Sequence, residues 1–364
     1  MAVEIFVKDA YRQAVEAASG GKNTVMYDDK GYPSIMVRIP RFNLEDIDAS
    51  LGTGAHPAFI VHGRVLSEIY IGKYLAKNVN GRACSLPGVD PTASINFDTA
   101  KSICEAKGDG FHLMTNAERA AIALWCQKNG FQPRGNTSYG KSHEATYEHG
   151  TVSYTYTESG TVKDGRTATG TGPQSWNHDN TPFGISDLCG NVWEWCDGMR
   201  LVNGQIQVVG EDGVPMNNIK TQNAKGNNTG WISTGAYYDG AVAGTADKTA
   251  GRLGNVILNN TRVNAGYTGG DVDDYYKEYN NAFDDLTATS GYTPPTYLKT
   301  LALQPLAANG KGDYIWVRNY GERLPLVGGP WSSGANAVVF ALYLNAHRAR
   351  VNHHIGLRVA YAAI

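Results

Sequence analysis

TPFGISDLCGNVWEWCDG, residues 181–198, is the stretch of sequence that decides how the rest of the chain is interpreted. It carries Trp193 and Trp195 two positions apart. Side chains with this spacing share one face of a strand, so we expect both tryptophans to pack in a core. The residues that follow, LVNGQIQVV (201–209), contain an Asn-Gly pair that is typical of a tight hairpin turn. The centre of the fold is therefore predicted to be a tryptophan-rich segment followed by a hairpin.

Two long segments flank this centre and are predicted to be insertions. Residues 134–180 are rich in Gly, Thr, Ser and Tyr, and residues 210–312 contain repeated clusters of Gly, Asn and Asp. Such composition favours turns and loops that carry short strands on a rigid frame. We therefore expect both insertions to be long loops with a few short strands.

The remaining segments predict the frame itself. Thr115 is followed three residues later by Glu118, a capping box that satisfies the free backbone N–H groups at a helix start. This helix is expected to run to Gly130 as its C-cap, and an earlier helix is predicted within 90–104. Alternating patterns predict strands in 65–74, 313–320 and 355–362.

The sequence predicts a small N-terminal element at 1–58, followed by a main domain at 59–364. A short helix is expected at 3–17, and MYDDKGYPSIMVRIPRF (26–42) predicts two strands about an Asp-Lys-Gly turn. We expect this element to serve docking or assembly.

Composition narrows the class of protein. Hydrophobic residues make up 42% of the 364, enough for a sizeable core. The net charge of −2 gives no reason to expect nucleic acid as a partner, and no apolar run is long enough to insert into a membrane. The first residues lack the basic-then-apolar pattern of a signal peptide.

The cysteines are odd in number and have no short framework spacing, so we expect buried reduced thiols. A bridge between Cys189 and Cys196 is the alternative. The five positions are Cys84, Cys104, Cys126, Cys189 and Cys196.

Several motifs, in their order along the chain, resemble those of the formylglycine-generating-enzyme-type domain. The matching residues are Phe183-Gly184-Ile185, Asp187-Leu188, Gly190-Asn191-Val192-Trp193-Glu194-Trp195, Tyr70-Ile71-Gly72-Lys73-Tyr74, the helix start at 113–120, Gly328-Gly329-Pro330-Trp331 and Ile355-Gly356-Leu357-Arg358. GNVWEW is specific, whereas the other motifs are individually weak. The resemblance covers residues from about 65 to 364. It implies an α+β fold: a C-type-lectin-like domain of the formylglycine-generating-enzyme subtype with long loop insertions and the small N-terminal element.

This family resemblance implies two different uses, of which the first is catalysis. Formylglycine-generating enzymes use a copper-binding cysteine pair near the C-terminus, but this chain has no cysteine after Cys196. Thiolates select Cu(I), so the oxidase chemistry has no ligands here. Related sulfoxide synthases hold iron with histidines and add a helical domain, which is missing. His353 and His354 are adjacent and would point to opposite faces of a strand. We therefore expect no catalytic residues, no catalytic metal and no enzyme.

The second use is binding, as in the variable proteins of diversity-generating retroelements, many of which are phage receptor-binding or bacterial surface proteins. The resemblance implies a variable binding segment at 331–358. Its constant framework would be Trp331, Gly334, Phe340, Leu342, Leu344, Arg348, Ile355, Gly356 and Arg358. Its variable ligand-binding positions would be Ser332, Ser333, Ala341, Tyr343, Asn345, Ala346, His347, Ala349, Arg350, Asn352, His353 and His354.

Two observations favour this hypothesis. Such retroelements mutate the adenines of a template, so that Asn codons become codons for other residues. The residues that can result do not include Lys, Glu, Gln, Met or Trp, and residues 332–354 contain none of these five types. A mixture of small residues with Tyr, His and Arg also suits a binding surface. Strand alternation would bury Leu342 and Leu344 and turn Tyr343 to the other face. The alternative is an ordinary half-buried strand and loop.

The sequence thus predicts a receptor-binding protein that displays a hypervariable C-terminal surface to a protein or glycan on a cell. A fixed-specificity lectin-like domain is the alternative, and a metal-dependent oxidase is less favoured. Monomers and homo-oligomers are both compatible with the sequence. Virion, cytoplasm and cell surface are all open as locations, and together with the resemblance the missing signal-peptide pattern favours a phage particle. No cofactor is expected apart from a structural calcium ion, for which two groups carry suitable oxygens. Structural hydrogen bonding is favoured for the first group and a solvated loop for the second; the groups are Asp187, Asn191 and Glu194, and Asp271, Asp273 and Asp274.

Overall fold

The computed structural model describes residues 9–217, 230–242, 249–265, 269–274, 276–310 and 312–363. Its α-helices are α1 (Ala10–Ser19), α2 (Leu44–Ile47), α3 (Phe97–Glu105), α4 (Asn116–Lys128) and α5 (Tyr297–Thr300). Its strands are β1 (Asn23–Tyr27), β2 (Pro33–Pro40), β3 (Ile60–Val61), β4 (Arg64–Val65), β5 (Glu68–Gly72), β6 (Ala76–Val79), β7 (Arg82–Ser85), β8 (Phe111–Leu113), β9 (Thr155–Glu158), β10 (Thr161–Asp164), β11 (Trp193–Trp195), β12 (Met199–Val202), β13 (Gln205–Glu211), β14 (Val214–Pro215), β15 (Trp231–Gly240), β16 (Arg252–Gly254), β17 (Val256–Asn259), β18 (Glu278–Ala282), β19 (Thr287–Ala288), β20 (Tyr314–Val317), β21 (Glu322–Arg323), β22 (Leu326–Val327), β23 (Leu342–Leu344), β24 (Ile355–Leu357) and β25 (Val359–Tyr361).

The local sequence signals correspond to observed elements. Thr115 and Glu118 form the predicted capping box at the start of α4, with Thr115 N donating to Glu118 Oε2 at 2.9 Å. Asn129 is the C-cap, and Gly130 follows it in the left-handed region, where a glycine costs least. Asn203 and Gly204 both have positive φ between β12 and β13, as the predicted hairpin turn requires. All five cysteines are buried free thiols, which confirms that prediction and removes the alternative of a Cys189–Cys196 bridge.

The N-terminal hairpin is part of the main sheet. Strands β1 and β2 begin a five-stranded sheet with the order β1-β2-β5-β25-β8. Strand β2 pairs with β5 over five residue pairs, from Met36 opposite Gly72 to Pro40 opposite Glu68. The expected boundary at residue 58 therefore does not separate two packed units, because the hairpin joins the sheet that also contains the C-terminal strand. The helix expected at 3–17 is observed from Ala10 onward, and residues 1–8 lie outside the described residues.

Two larger sheets enclose the main core. One has the order β16-β18-β20-β23-β22-β11-β24 and will be called the display sheet. The other runs β19-β17-β15-β13-β12-β21, with β14 paired to β13. Apolar side chains of both sheets, such as Leu342 and Leu344 from one and Ile206 and Leu258 from the other, belong to one buried cluster. Burial on this inner side fixes which face of the display sheet looks outward.

The second predicted insertion is more than a loop. Within residues 210–312 the structure has the ten-residue strand β15 and further strands in both large sheets, including β16 and β18 at one edge of the display sheet. Composition rich in Gly and Asn predicted turns correctly but did not reveal the strands between them, because their pairing partners lie far away in the sequence. The first insertion does match its prediction, since its only hairpin within 134–180 is β9–β10.

Candidate ligand-binding surface

The register of the display sheet places one row of side chains on its outer face. Asn280 lies opposite Trp316, Trp316 opposite Tyr343, and Tyr343 opposite Leu326. The row continues from Leu326 to Trp195 and from Trp195 to Leu357. Directly paired residues point to the same side of a sheet. The C-terminal segment, the GNVWEW strand and the second insertion therefore share one surface.

One half of this outer face is covered by helix α3. Phe97 of the helix meets Trp195 edge to face, with ring centroids 5.8 Å apart. The indole Nε1 of Trp195 donates to the carbonyl of Ile95 at 2.9 Å, and the ring is fully buried. This half is core, as predicted for Trp195.

The other half is partly exposed and carries four aromatic side chains, Trp193, Tyr314, Trp316 and Tyr343, which we call the aromatic platform. Ring centroids are 4.9 Å apart for Tyr314 and Trp316, 5.7 Å for Trp316 and Trp193, and 5.4 Å for Trp193 and Tyr343. Three of the rings are half-buried, and Trp193 is 6% exposed. Tilted pairs at these distances stabilise one another by about 0.5–1.5 kcal/mol each, so the platform is a rigid surface.

A carboxylate from the second insertion holds the C-terminal segment beside the platform. Asp274 accepts from the guanidinium of Arg350 at 2.8 Å and from that of Arg318 at 3.2 Å, and His347 Nε2 lies 3.6 Å from its Oδ2. Arg350 also lies over the ring of Tyr343, 5.8 Å from its centroid. Burial of Asp274 opposes ionisation, but the hydrogen bond from His347 and the two guanidinium charges outweigh it and lower the pKa of Asp274. The carboxylate is thus charged and fixes two predicted variable residues at once.

A second carboxylate lies under the platform. Glu278 accepts from the side-chain amides of Asn280, at 2.9 Å, and of Asn345. Burial raises the pKa of Glu278, although Arg318 acts in the opposite direction. Asn345 is fully buried, and its Oδ1 has no hydrogen-bond partner within the described residues.

The C-terminal end of the segment forms a second aromatic group around Trp331. The His353 ring stacks on Trp331 with centroids 5.4 Å apart, and His354 meets Trp331 edge to face at 5.9 Å. Tyr154 and Tyr156 of the first insertion contact His353 at 6.1 and 5.5 Å. Burial, then the charges of His353 and Arg350, lowers the pKa of His354 to about 4, so this ring is neutral at pH 7.

The structure divides the twelve predicted binding positions into three sets by exposure. Two are exposed: Ser332 and Ala349. Seven are half-buried: Ser333, Tyr343, His347, Arg350, Asn352, His353 and His354. Three are buried at 0–1% exposure: Ala341, Asn345 and Ala346.

The three buried positions correct the sequence prediction. Ala341 and Asn345 do lie on the opposite side of the strand from Leu342 and Leu344, but that side is covered at both ends of β23. Only Tyr343, in the middle, reaches the surface. Alternation along a strand assigns a face and does not show what packs on it, so the sequence could not distinguish these cases.

Two further expectations are corrected. His353 and His354 lie in a turn before β24 and not on a strand, and both rings contact Trp331. The acidic stretch at 271–274 is not a solvated loop. Asp271 accepts from the backbone N–H of Glu322 at 2.8 Å, and the carbonyls of Asp271 and Asp273 accept from the guanidinium of Arg323.

The framework residues form the buried support of this surface. Arg358 is fully buried and donates to both carboxylate oxygens of Glu194, at 2.7 and 3.1 Å, and to the carbonyls of Gly72 and Ser186. Asn191 accepts from Thr167 N at 2.9 Å. The oxygens considered for calcium at Glu194 and Asn191 are thus engaged in structural hydrogen bonds, as the favoured interpretation expected. Asp187 likewise accepts from the backbone N–H of Gly170 at 2.9 Å, and burial raises the pKa of this carboxyl to about 6.

The donor groups do not fit the copper centre of the oxidases. The thiols are buried, and burial raises the pKa of Cys126 to about 12. A buried neutral thiol is a poor ligand compared with a thiolate. Among the described residues, His, Cys, Asp and Glu side chains do not form a group of three or more that could hold a metal ion.

Sequence reasoning missed several residues of the surface. Tyr314 and Trp316 lay in a predicted strand, and their alternation with Ile315 and Val317 was a usable signal for an aromatic face. Tyr154, Tyr156 and Asp274 had no such signal, because each lies in an insertion whose position depends on the folded chain.

Comparison with known proteins identifies the family. The model of the sulfatase-modifying factor enzyme 1-like domain, the formylglycine-generating-enzyme type, matches residues 14–239. The chain belongs to this family, and its fold is the predicted α+β, C-type-lectin-like one. Among proteins with curated descriptions, none matches the sequence. The helices of the described residues are not long and apolar enough to cross a membrane.

Solved structures with a similar arrangement include two kinds of protein. Treponema denticola variable protein 1 is 12% identical, with a TM-score of 0.33, and the match covers 94% of this chain and 99% of that one. The U1 variant of the Major Tropism Determinant is 13% identical, with a TM-score of 0.31, covering 93% and 71% of the two chains. Its M1 variant is 12% identical, with the same TM-score and coverage.

Proposed function

We propose that this chain is a receptor-binding protein and not an enzyme, and that it binds through the aromatic platform and the neighbouring side chains of the C-terminal segment. One observation carries the proposal. Tyr343, His347 and Arg350 of the C-terminal segment meet Trp316 and Asp274 on the half of the display sheet that carries the aromatic platform. These residues come from two distant parts of the sequence and meet only in the folded protein.

The chemistry of this surface suits binding. Tyrosine, tryptophan and arginine supply most of the energy at protein interfaces, because they bury large areas at a low cost in conformational entropy. Here they stand on a sheet whose inner face is packed in the core, so little ordering is required when a ligand binds. The receptor class is a protein or a glycan on a cell surface, and the binding protein belongs to a phage particle.

We further propose that a diversity-generating retroelement varies the solvent-facing part of the segment. Burial refines the set of positions expected to vary. Substitutions at exposed positions such as Ser332 and Ala349 cost little stability, whereas new side chains at Ala341 or Ala346 would have to displace packed neighbours.

Deep sequencing of the 3′ end of the gene across a population tests the diversification. The expected result is substitution at the nine exposed or half-buried positions, with Trp331, Gly356 and Arg358 constant and the three buried positions restricted to small residues. A uniform 3′ end without a near-copy repeat beside the gene would refute diversification. The protein would then be the alternative, a lectin-like domain of fixed specificity.

Cell binding tests the surface itself, whichever of these two functions is correct. Labelled protein is incubated with a panel of bacterial strains, and bound fluorescence is compared for the wild type, Trp316→Ala and Tyr343→Ala. The matched control is Tyr147→Ala, since Tyr147 is 80% exposed in the first insertion. We expect loss of at least tenfold in binding for the two platform variants and none for the control. Equal binding by all four proteins would refute the assignment of the surface.

A further inference from the structure

A cavity of about 490 Å³ lies on a different part of the molecule, between the N-terminal hairpin and helix α4. Its apolar lining includes Ile39 and Phe42 from the hairpin side, Ile122 and Trp125 from α4, and Phe183 from the loop before β11. The volume is within the range of about 300–1,000 Å³ that is usual for small-molecule pockets. None of these residues belongs to the aromatic platform.

The polar residues of the lining carry an excess of positive charge. The charged residues are Lys22, Arg38 and Arg41, with one carboxylate, Asp179; His178 also lines the cavity, and burial lowers its pKa to about 4, so it is neutral at pH 7. Arg38 is paired with Glu68 outside the cavity. Among the described residues, neither Lys22 nor Arg41 has an ion-pair partner, and both are exposed. Two cations at an apolar cavity would complement a ligand that has an apolar body and a negative end.

The walls of the cavity are held by hydrogen bonds that do not depend on a ligand. Lys73 is buried and its Nζ donates to the carbonyls of Pro182 and Gly184, at 2.7 and 2.9 Å. The side-chain amide of Asn23 donates to the carbonyl of Phe183 at 2.7 Å. These bonds fix the loop that carries Phe183 against the hairpin, so the cavity is preformed and a ligand need not order it.

We propose that this cavity binds a small amphipathic carboxylate, with its hydrocarbon chain between Ile39, Ile122 and Trp125 and its carboxylate at Lys22 and Arg41. The proposal is independent of receptor binding by the platform. It gives the N-terminal hairpin a role in ligand binding in addition to its place in the sheet.

Calorimetric titration of the full chain with octanoate and decanoate, below their micelle-forming concentrations, tests the proposal. Each added methylene that is buried is expected to tighten binding about fourfold until the cavity is filled. Decanol has the same chain without the charge, and decyltrimethylammonium reverses the charge. We expect decanoate to bind most tightly and the ammonium compound least. Absence of decanoate binding, or equal binding of all three ten-carbon compounds, would overturn the proposal.

Two variants locate the ligand. The double substitution Lys22→Gln and Arg41→Gln is expected to weaken decanoate on the order of tenfold and to leave decanol unchanged. Ile39→Trp fills the cavity from a half-buried position and should abolish binding of both compounds. The matched control Arg64→Gln removes an exposed charge that does not line the cavity. Circular dichroism confirms that each variant is folded, and decanoate binding that survives in folded Ile39→Trp would place the ligand elsewhere.

Discussion

Replacing Asp274 by asparagine tests whether the second insertion holds the C-terminal segment in place. The carboxylate is 30% exposed and contacts the guanidinium groups of Arg318 and Arg350 at 3.2 and 2.8 Å, with the imidazole of His347 at 3.6 Å. An exposed ion pair contributes about 0.2–1 kcal/mol, and partial burial places these pairs at the upper end. Asp274→Asn is therefore expected to lower the free energy of unfolding by about 1–2 kcal/mol at pH 7. The asparagine cannot compensate for the charges of two neighbouring guanidinium groups.

The stabilisation by Asp274 should depend on pH in a defined direction. The folded state lowers the pKa of Asp274 below its ordinary value of 3.8, so the folded state holds the proton less tightly than the unfolded state does. The stabilisation is complete above the unfolded value and is lost as the pH falls through the lower folded value. The difference between wild type and Asp274→Asn should therefore narrow below pH 4.

Urea denaturation at a series of pH values measures this difference as a shift of the midpoint at an unchanged slope. Asp98→Asn is the matched control, because Asp98 is 48% exposed and forms its ion pair with Arg348 alone. It should cost less than about 0.5 kcal/mol. The reasoning would be refuted if Asp274→Asn were as stable as the wild type, or if the control lost as much.

Three further predictions concern the surface and its support. Ala341→Tyr should destabilise the protein by about 1–3 kcal/mol because Ala341 is buried, whereas Ala349→Tyr should stay within about 0.5 kcal/mol; equal melting temperatures would contradict the division by burial. Arg358→Met removes the nearer of the two guanidinium groups at the buried Glu194 carboxylate and leaves Arg119 at 3.9 Å; it should cost about 3 kcal/mol in thermal unfolding, and the double variant with Glu194→Met should recover part of this loss. Burial lowers the pKa of His56 to about 4, so the folded protein takes up this proton at a lower pH than the unfolded chain does. The free energy of unfolding should therefore be highest above pH 6.5 and fall by at most about 3 kcal/mol as the pH drops towards 4. His56→Gln should flatten this part of the stability curve, and an unchanged curve would exclude this contribution of His56.

Local signals in the sequence determined the elements that depend on neighbouring residues. The capping box of Thr115 and Glu118, the Asn203-Gly204 turn and the burial of the cysteines each rest on short-range chemistry, and each was predicted correctly. The ordered motifs around GNVWEW determined the family, because they carry the residues that pack at the centre of the fold. The buried pair of Arg358 and Glu194 joins two of these motifs.

Only the tertiary structure decided which residues form the surface. Tyr343 is accessible while Ala341 and Asn345 are buried, although all three lie on one side of the chain, because non-local partners cover the ends of β23 and leave its middle open. The position of Asp274 likewise depends on an insertion that returns to the C-terminal segment across the display sheet. Strand register and long-range ion pairs are set by contacts between residues far apart in the sequence, and such contacts leave no periodic signal in the sequence itself.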